Sequence, residues 1–251
     1  MPEAEVQIYK KYIKFIVENQ TVTFDVEKIQ KLKKIGVAFS GGTDSSLIVC
    51  LLAKYVPNIE IIPWYGIEFW DLDGLNFVKK AYKKIINKYP DANIAPMRYF
   101  GIDKEDPIWE EMFFDNCKTD NELNLDFNTV IKNFILDQFK SEYIRTGITN
   151  VNTFGTLTAP PISECIKHGF DRYVQPNRWK PNGTEWNMTG AKMWQPLKFV
   201  NKKFVAGMFK KEGLMGWLYP DLQHSVPCKK ECFHCYERKW AFGTYNGELY
   251  E

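Results

Sequence analysis

Long hydrophobic runs are missing from this sequence. No uninterrupted apolar stretch reaches the length needed to span a bilayer, and the opening MPEAEVQIYKKYIKF lacks the apolar core of a signal peptide, so neither membrane nor export is expected. Charge of one sign is scarce as well. The 33 Lys and Arg against 31 Asp and Glu leave a net charge of +2, which gives no support to a general nucleic-acid-binding surface. The basic clusters KLKK (31–34) and VKKAYKK (78–84) read as solvated helix faces. Internal repeats and low-complexity linkers are absent. Histidine is limited to His168, His224 and His234, and none sits in a pattern that calls for a catalytic imidazole. Cysteine is sparse but unevenly placed: three of six fall within 228–235, which points to a metal site in a reducing compartment rather than a disulfide framework. These absences lead to the expectation of a cytoplasmic protein.

What the chain has in quantity is aromatic surface, 16% of residues, enough to fill a core and line a site for something flat. Its 251 residues suit one α/β domain with an appendage. Residues 1–34 read as an amphipathic lead-in, a short helix or strand. The continuous apolar run 35–39 reads as a strand buried on both faces, followed by a helix over 45–55. Strands are expected at 58–68, 92–102 and 142–149, and helices at about 74–89, 127–141 and 201–213. This alternation predicts a parallel sheet flanked by helices, a Rossmann-like α/β core spanning 35–215. Ligands in such folds sit at the carboxyl ends of the strands. The stretch 150–195 is expected to be a lid-like insertion, because its periodicity dissolves into Pro, Asn, Trp and Gly. Residues 216–251 would form a C-terminal metal-binding segment.

The most specific feature lies between the first buried strand and its helix, in IGVAFSGGTDSSLIVCLLAKY (35–55). A turn with an N-cap needs one Gly and one Ser or Asp. Here Ser40-Gly41-Gly42-Thr43-Asp44-Ser45-Ser46 supplies two glycines that let backbone amides turn inward and four hydroxyl donors. Asp44 is placed to cap the helix or hold Mg²⁺. Together these form a nest for a polyphosphate. No G-x4-G-K-[ST] is present, which excludes the Walker-type loop.

The loop resembles the S-G-G-x-D-S motif of the PP-loop ATP pyrophosphatases, with Ser40, Gly41, Gly42, Asp44 and Ser45 matching position by position. The resemblance implies an adenine-nucleotide alpha-hydrolase-like fold and binding of ATP with Mg²⁺, the β,γ-pyrophosphate lying in the loop. An adenylated substrate and free pyrophosphate would follow. It also implies a nucleotide contact at the strand-ending Gly147 in RTGIT (145–149), which reads equally as a turn glycine. A phosphate-approaching lysine is implied in QPLKFVNKKF (195–204), where Lys202 fits the register best and Lys203 is its neighbour. PWYG (63–66) falls where relatives hold adenine or ribose, which nominates Trp64; Trp64 and Tyr65 read equally as core.

HSVPCKKECFHCYERKWAFG (224–243) places Cys228, Cys232 and Cys235 in a C-x3-C-x2-C array, the second half having the usual spacing for two thiolates on Zn²⁺. His224 is the favoured fourth ligand, with His234, Cys50, Cys117 and Cys165 as alternatives and an iron–sulfur cluster as a minority choice. The segment resembles the C-terminal zinc motif of the 7-cyano-7-deazaguanine synthases, PP-loop enzymes of queuosine-precursor synthesis, although the usual set has four cysteines and this chain has three with a shorter gap. That resemblance implies a ligase: a 7-deazaguanine carboxylate is adenylated, and ammonia then gives an amide and finally a nitrile. The implied partners are the deazapurine and ammonia, with a homodimer admissible; no glutaminase domain is present to supply the nitrogen. Rival readings are a sulfur-transferring or tRNA-thiolating enzyme, a sulfonucleotide-reductase-like enzyme, and a nucleotide-binding module without chemistry.

Overall fold

The computed structural model describes residues 2–67, 72–101, 152–155, 158–159, 162–167, 185–188, 191–217 and 233–243. The expected helix at 127–141 and strand at 142–149 lie outside them. The chain opens with three antiparallel strands, β1 (Ala4–Ile8), β2 (Tyr12–Val17) and β3 (Gln20–Asp25), paired in the order β1-β2-β3. Alternation explains them: Ile13, Phe15 and Val17 point inward from β2, and Val22 and Phe24 from β3, with polar residues between. Helix α1 (Val26–Lys31) follows, its N-cap Asp25 accepting from the Lys28 amide at 2.9 Å. The lead-in is thus a small sheet with its own helix, more structure than the single element expected.

Among the described residues, five parallel strands and one antiparallel strand form the central sheet. They are β4 (Lys34–Ala38), β5 (Glu60–Ile67), β6 (Arg98–Gly101), β7 (Asn152–Phe154), β8 (Glu185–Met188) and β9 (Ala191–Trp194), in the order β6-β5-β4-β7-β9-β8. Only β8 runs against its neighbour. The chain steps outward from β4 through β5 to β6, then returns to the other side of β4 with β7. The order therefore switches between β4 and β7, and a crevice opens at their carboxyl ends.

Three strands of the sheet come from 150–195, the stretch expected to be a lid, which also contains α4 (Ile162–Lys167). Strands of three or four residues are too short for a period of two to register in the sequence.

Helices α2 (Thr43–Tyr55), α3 (Leu72–Lys88), α5 (Lys202–Lys211) and α6 (Phe233–Phe242) complete the described elements, with a short 3₁₀ turn at Met215–Trp217. Helix α2 is buried continuously from Ser45 to Leu52, as expected of a helix without a polar face. The small sheet closes over α5 where Gly207 leaves room for it; a Cβ there would meet Val17 Cγ1 at 2.6 Å. Phe209 of α5 packs edge-on against Phe242 of α6, ring centroids 5.7 Å apart. Among the described residues, no helix is long and apolar enough to cross a membrane.

Candidate functional site: the loop after the first central strand

The chain leaves β4 with the Phe39 amide still donating to the Trp64 carbonyl at 2.7 Å, so the sheet holds the loop's entry in place. Gly41 then takes φ +73°, in the left-handed region. A Cβ at this position would lie 2.9 Å from Phe77 Cε1 and 3.1 Å from Val78 Cα, so α3 presses directly on the loop. Glycine is required here on two counts, conformation and space.

The loop's hydroxyls bind the loop itself. Ser45 Oγ donates to the Gly42 carbonyl at 3.1 Å, and Ser46 Oγ to the Gly41 carbonyl at 3.2 Å. Ser40 Oγ lies 3.3 Å from Ser45 Oγ and accepts a long bond from the Gly42 amide at 3.4 Å. Thr43 Oγ1 approaches Asp44 Oδ1 at 3.4 Å. These bonds satisfy the Gly41 and Gly42 carbonyls within the loop. Gly42 occupies the N-cap with no side-chain cap, so the first-turn amides and the positive end of the helix dipole face the loop. An anion is the natural complement of that arrangement.

Lys202, the first residue of α5, reaches the loop from the far part of the chain. Its Nζ lies 2.5 Å from Asp44 Oδ2 and 3.8 Å from Glu237 Oε2 of α6. Burial works to lower its pKa, but the Asp44 and Glu237 carboxylates outweigh it, with Arg238 opposing, and hold the ammonium above its usual range. The group is a fixed cation. Lys203, the alternative in sequence, turns elsewhere: its Nζ sits 4.6 Å from the Trp240 ring centroid, and its amide donates to the Asn201 side chain at 2.9 Å.

Other expected positions scatter. Trp64 lies on β5, opposite Ala38 in register and half-buried. Gly147, His224, Cys228 and Cys232 lie outside the described residues, while Cys235 falls in the first turn of α6. Cys50 and Cys165, raised as alternative ligands, are both buried. Burial pushes the Cys50 thiol up to about 12. That suits a core residue. Among the described residues, no group of three or more His, Cys, Asp or Glu is placed to hold a metal.

The sequence reading missed three contributors. Glu237 and Arg238 sit beside the cysteines in sequence in a run of three charges with Lys239, and only the packing of α6 singles them out. Gln195 is buried beneath Gly155 at the end of β7, so close that a Cβ on Gly155 would fall within its side-chain amide. A small pocket beside the loop is lined by Gly41, Gly42, Thr43 and Ser46 together with Lys84, Trp217 and Arg238.

Comparison with known proteins gives no match to any family model and none to any curated protein. Solved structures similar in outline include the following two. The U34-tRNA thiolase NcsA from Methanococcus maripaludis, solved with its 4Fe-4S cluster, is 14% identical over 86% of this chain and 74% of its own, with a TM-score of 0.46. The NH3-dependent NAD synthetase from Campylobacter jejuni, in complex with nitrate, is 13% identical over 76% of this chain and 75% of its own, with a TM-score of 0.41. The class defined by the coordinates themselves is an α/β protein with a parallel sheet and an anion-suited glycine loop at the switch in strand order.

Proposed function

We propose that this protein is a PP-loop ATP pyrophosphatase that activates a carboxylate by adenylation. The observation carrying the reading is the meeting of Ser40–Ser46 with Lys202 at the carboxyl end of β4. ATP would lie with its β- and γ-phosphates against the uncapped amides of α2. There the helix dipole and the Lys202 ammonium oppose the charge that builds on the departing pyrophosphate. Asp44 is the carboxylate available to Mg²⁺, and that ion would neutralise phosphate oxygens. Gly41 lets α3 pack directly against the loop that would carry the phosphates.

The acceptor proposed from sequence is 7-carboxy-7-deazaguanine. Its carboxylate oxygen attacks the α-phosphorus, the P–O bond to pyrophosphate breaks, and an acyl adenylate forms. Ammonia displaces AMP to give the amide. A second ATP then adenylates the amide oxygen, and loss of AMP and a proton leaves the nitrile. No acid–base pair is required beyond solvent, since the protein's task is alignment and charge stabilisation. Zinc is proposed for Cys228, Cys232, Cys235 and His224, as a structural ion beside α6. A thiolate in the first turn of a helix is favoured by the dipole, which fits the position of Cys235.

The deciding experiment is release of pyrophosphate and AMP from Mg·ATP with and without the deazapurine acid and ammonium, read with mass spectrometry of the base. Amide or nitrile is the expected product. Pyrophosphate released without that product keeps the ATP chemistry and rejects the acceptor; no release rejects the enzyme reading.

A further inference from the structure

Helix α6 brings two charges of opposite sign to the loop. Glu237 approaches Lys202 at 3.8 Å, while Arg238, its neighbour in sequence, lines the pocket formed by Gly41, Gly42, Thr43 and Ser46. Arg238 is only 8% exposed, and it lies near enough to Lys202 to oppose protonation of that lysine. Bringing two cations together in a largely dry site raises the energy of the empty protein unless carboxylates offset them, and Asp44 and Glu237 do so here. Lys84 lines the same pocket, so Lys202, Arg238 and Lys84 face Asp44 and Glu237, and the surroundings of the loop carry one positive charge in excess before a ligand arrives.

We infer that Arg238 is a pyrophosphate-binding residue, delivered to the loop by the C-terminal helix and acting with Lys202 on the outer phosphates of the nucleotide. The inference rests on the proposed ATP chemistry and assigns the phosphate end of that site. A guanidinium presents a planar fork of N–H donors that matches two phosphate oxygens at once, whereas an ammonium supplies a compact point charge. Lys202, tied to Asp44, serves as the point charge. Arg238 supplies the fork from the pocket wall, and Glu237 shares the Lys202 ammonium with Asp44. The pocket's other walls are Lys84 and the apolar Phe77, Ala81, Phe209 and Trp217, whose low polarity strengthens a charged contact made there.

The test uses the full chain and two probes, Mg·pyrophosphate and AMP, titrated calorimetrically into the wild type, Arg238→Gln and Arg238→Lys. Thermal melting serves as the check on folding. The wild type is expected to bind both probes. Arg238→Gln is expected to weaken pyrophosphate by about 10- to 100-fold, the range of hydrogen bonds to charged groups, while AMP stays within about twofold. Arg238→Lys keeps the charge without the fork and is expected to fall between the two. If the glutamine variant does not fold, the lysine variant decides alone. Unchanged pyrophosphate affinity in a folded variant overturns the inference, and so does equal weakening of pyrophosphate and AMP, which marks a purely structural arginine. A wild type that binds neither probe removes the nucleotide reading itself, an outcome distinct from a failure of Arg238.

Discussion

Lys202 Nζ and Asp44 Oδ2 lie 2.5 Å apart although 158 residues separate them in the chain. One opens α5 and the other lies in the first turn of α2, so the ion pair joins the two helices whose N-termini meet at the loop.

Breaking this pair from either side should have unequal effects on stability. Lys202→Met removes the cation that Asp44 and Glu237 share and is expected to cost about 3 kcal/mol, measured by urea denaturation. Asp44→Ala leaves Lys202 with Glu237 and should cost clearly less. Both should abolish pyrophosphate release. Unchanged release in Asp44→Ala would remove Asp44 from the mechanism.

Two glycines with positive φ make a controlled comparison. Gly213, at φ +65°, has only Lys88 Nζ within reach of an added Cβ, at 3.8 Å. Gly213→Ala should therefore cost about 1 kcal/mol, the conformational penalty alone. Gly41→Ala adds overlap with Phe77 and Val78 and should cost at least 1 kcal/mol more, with loss of nucleotide binding. Equal melting temperatures for the two variants would contradict the packing of α3 on the loop.

Alkaline pH should destabilise the protein, and Cys50 sets a defined window. Its thiol titrates at about 12 when folded against a usual value of 9.0, chiefly through burial. A raised folded value means the contribution is fully present below about pH 9. It is lost progressively between about 9 and 12, where the unfolded chain sheds its proton and the folded one does not. Lys202 and Tyr55 are shifted in the same direction and add to the slope. Cys50→Ala should lower stability at pH 8 but flatten its decline above pH 9, read from urea midpoints. Parallel curves for the two proteins would show that Cys50 does not titrate as described.

For the cysteine array, elemental analysis is the direct check. The purified chain is expected to carry about one zinc per molecule, the stoichiometry of a closed four-ligand site. Cys232→Ser should lose metal and thermal stability together. A metal-free variant with unchanged melting would reject a structural zinc site.

The sequence revealed the parts of the fold that depend on unbroken patterns. The run Ile35–Phe39 and the two-glycine loop announced β4, the turn and α2, because a strand buried on both faces must be continuously apolar and an anion nest needs residues without bulk. Lys202 could be nominated, but choosing it over Lys203 required knowing that Asn201 caps α5 and turns the second lysine toward Trp240. Strands β7, β8 and β9 escaped notice because three or four residues give no period. Glu237 and Arg238 escaped for another reason: their importance comes from α6 packing on α5, a tertiary fact that no local pattern encodes.

The seat of Val17 against Gly207 bears on how the chain is made. The first three strands emerge from the ribosome early, with Val17 facing the place where α5 will lie, yet α5 belongs to the last quarter of the sequence. Tyr55 and Phe154 can cover Phe15 and Phe24 earlier, but until α5 arrives Val17 lacks its seat, and neither Lys202 nor α6 has reached the loop. Contacts of such long sequence separation form slowly and expose the nascent chain to association. Biosynthesis therefore holds its riskiest interval between translation of β3 and translation of α5, and a chain interrupted in that interval would display a sticky sheet with no binding site to show for it.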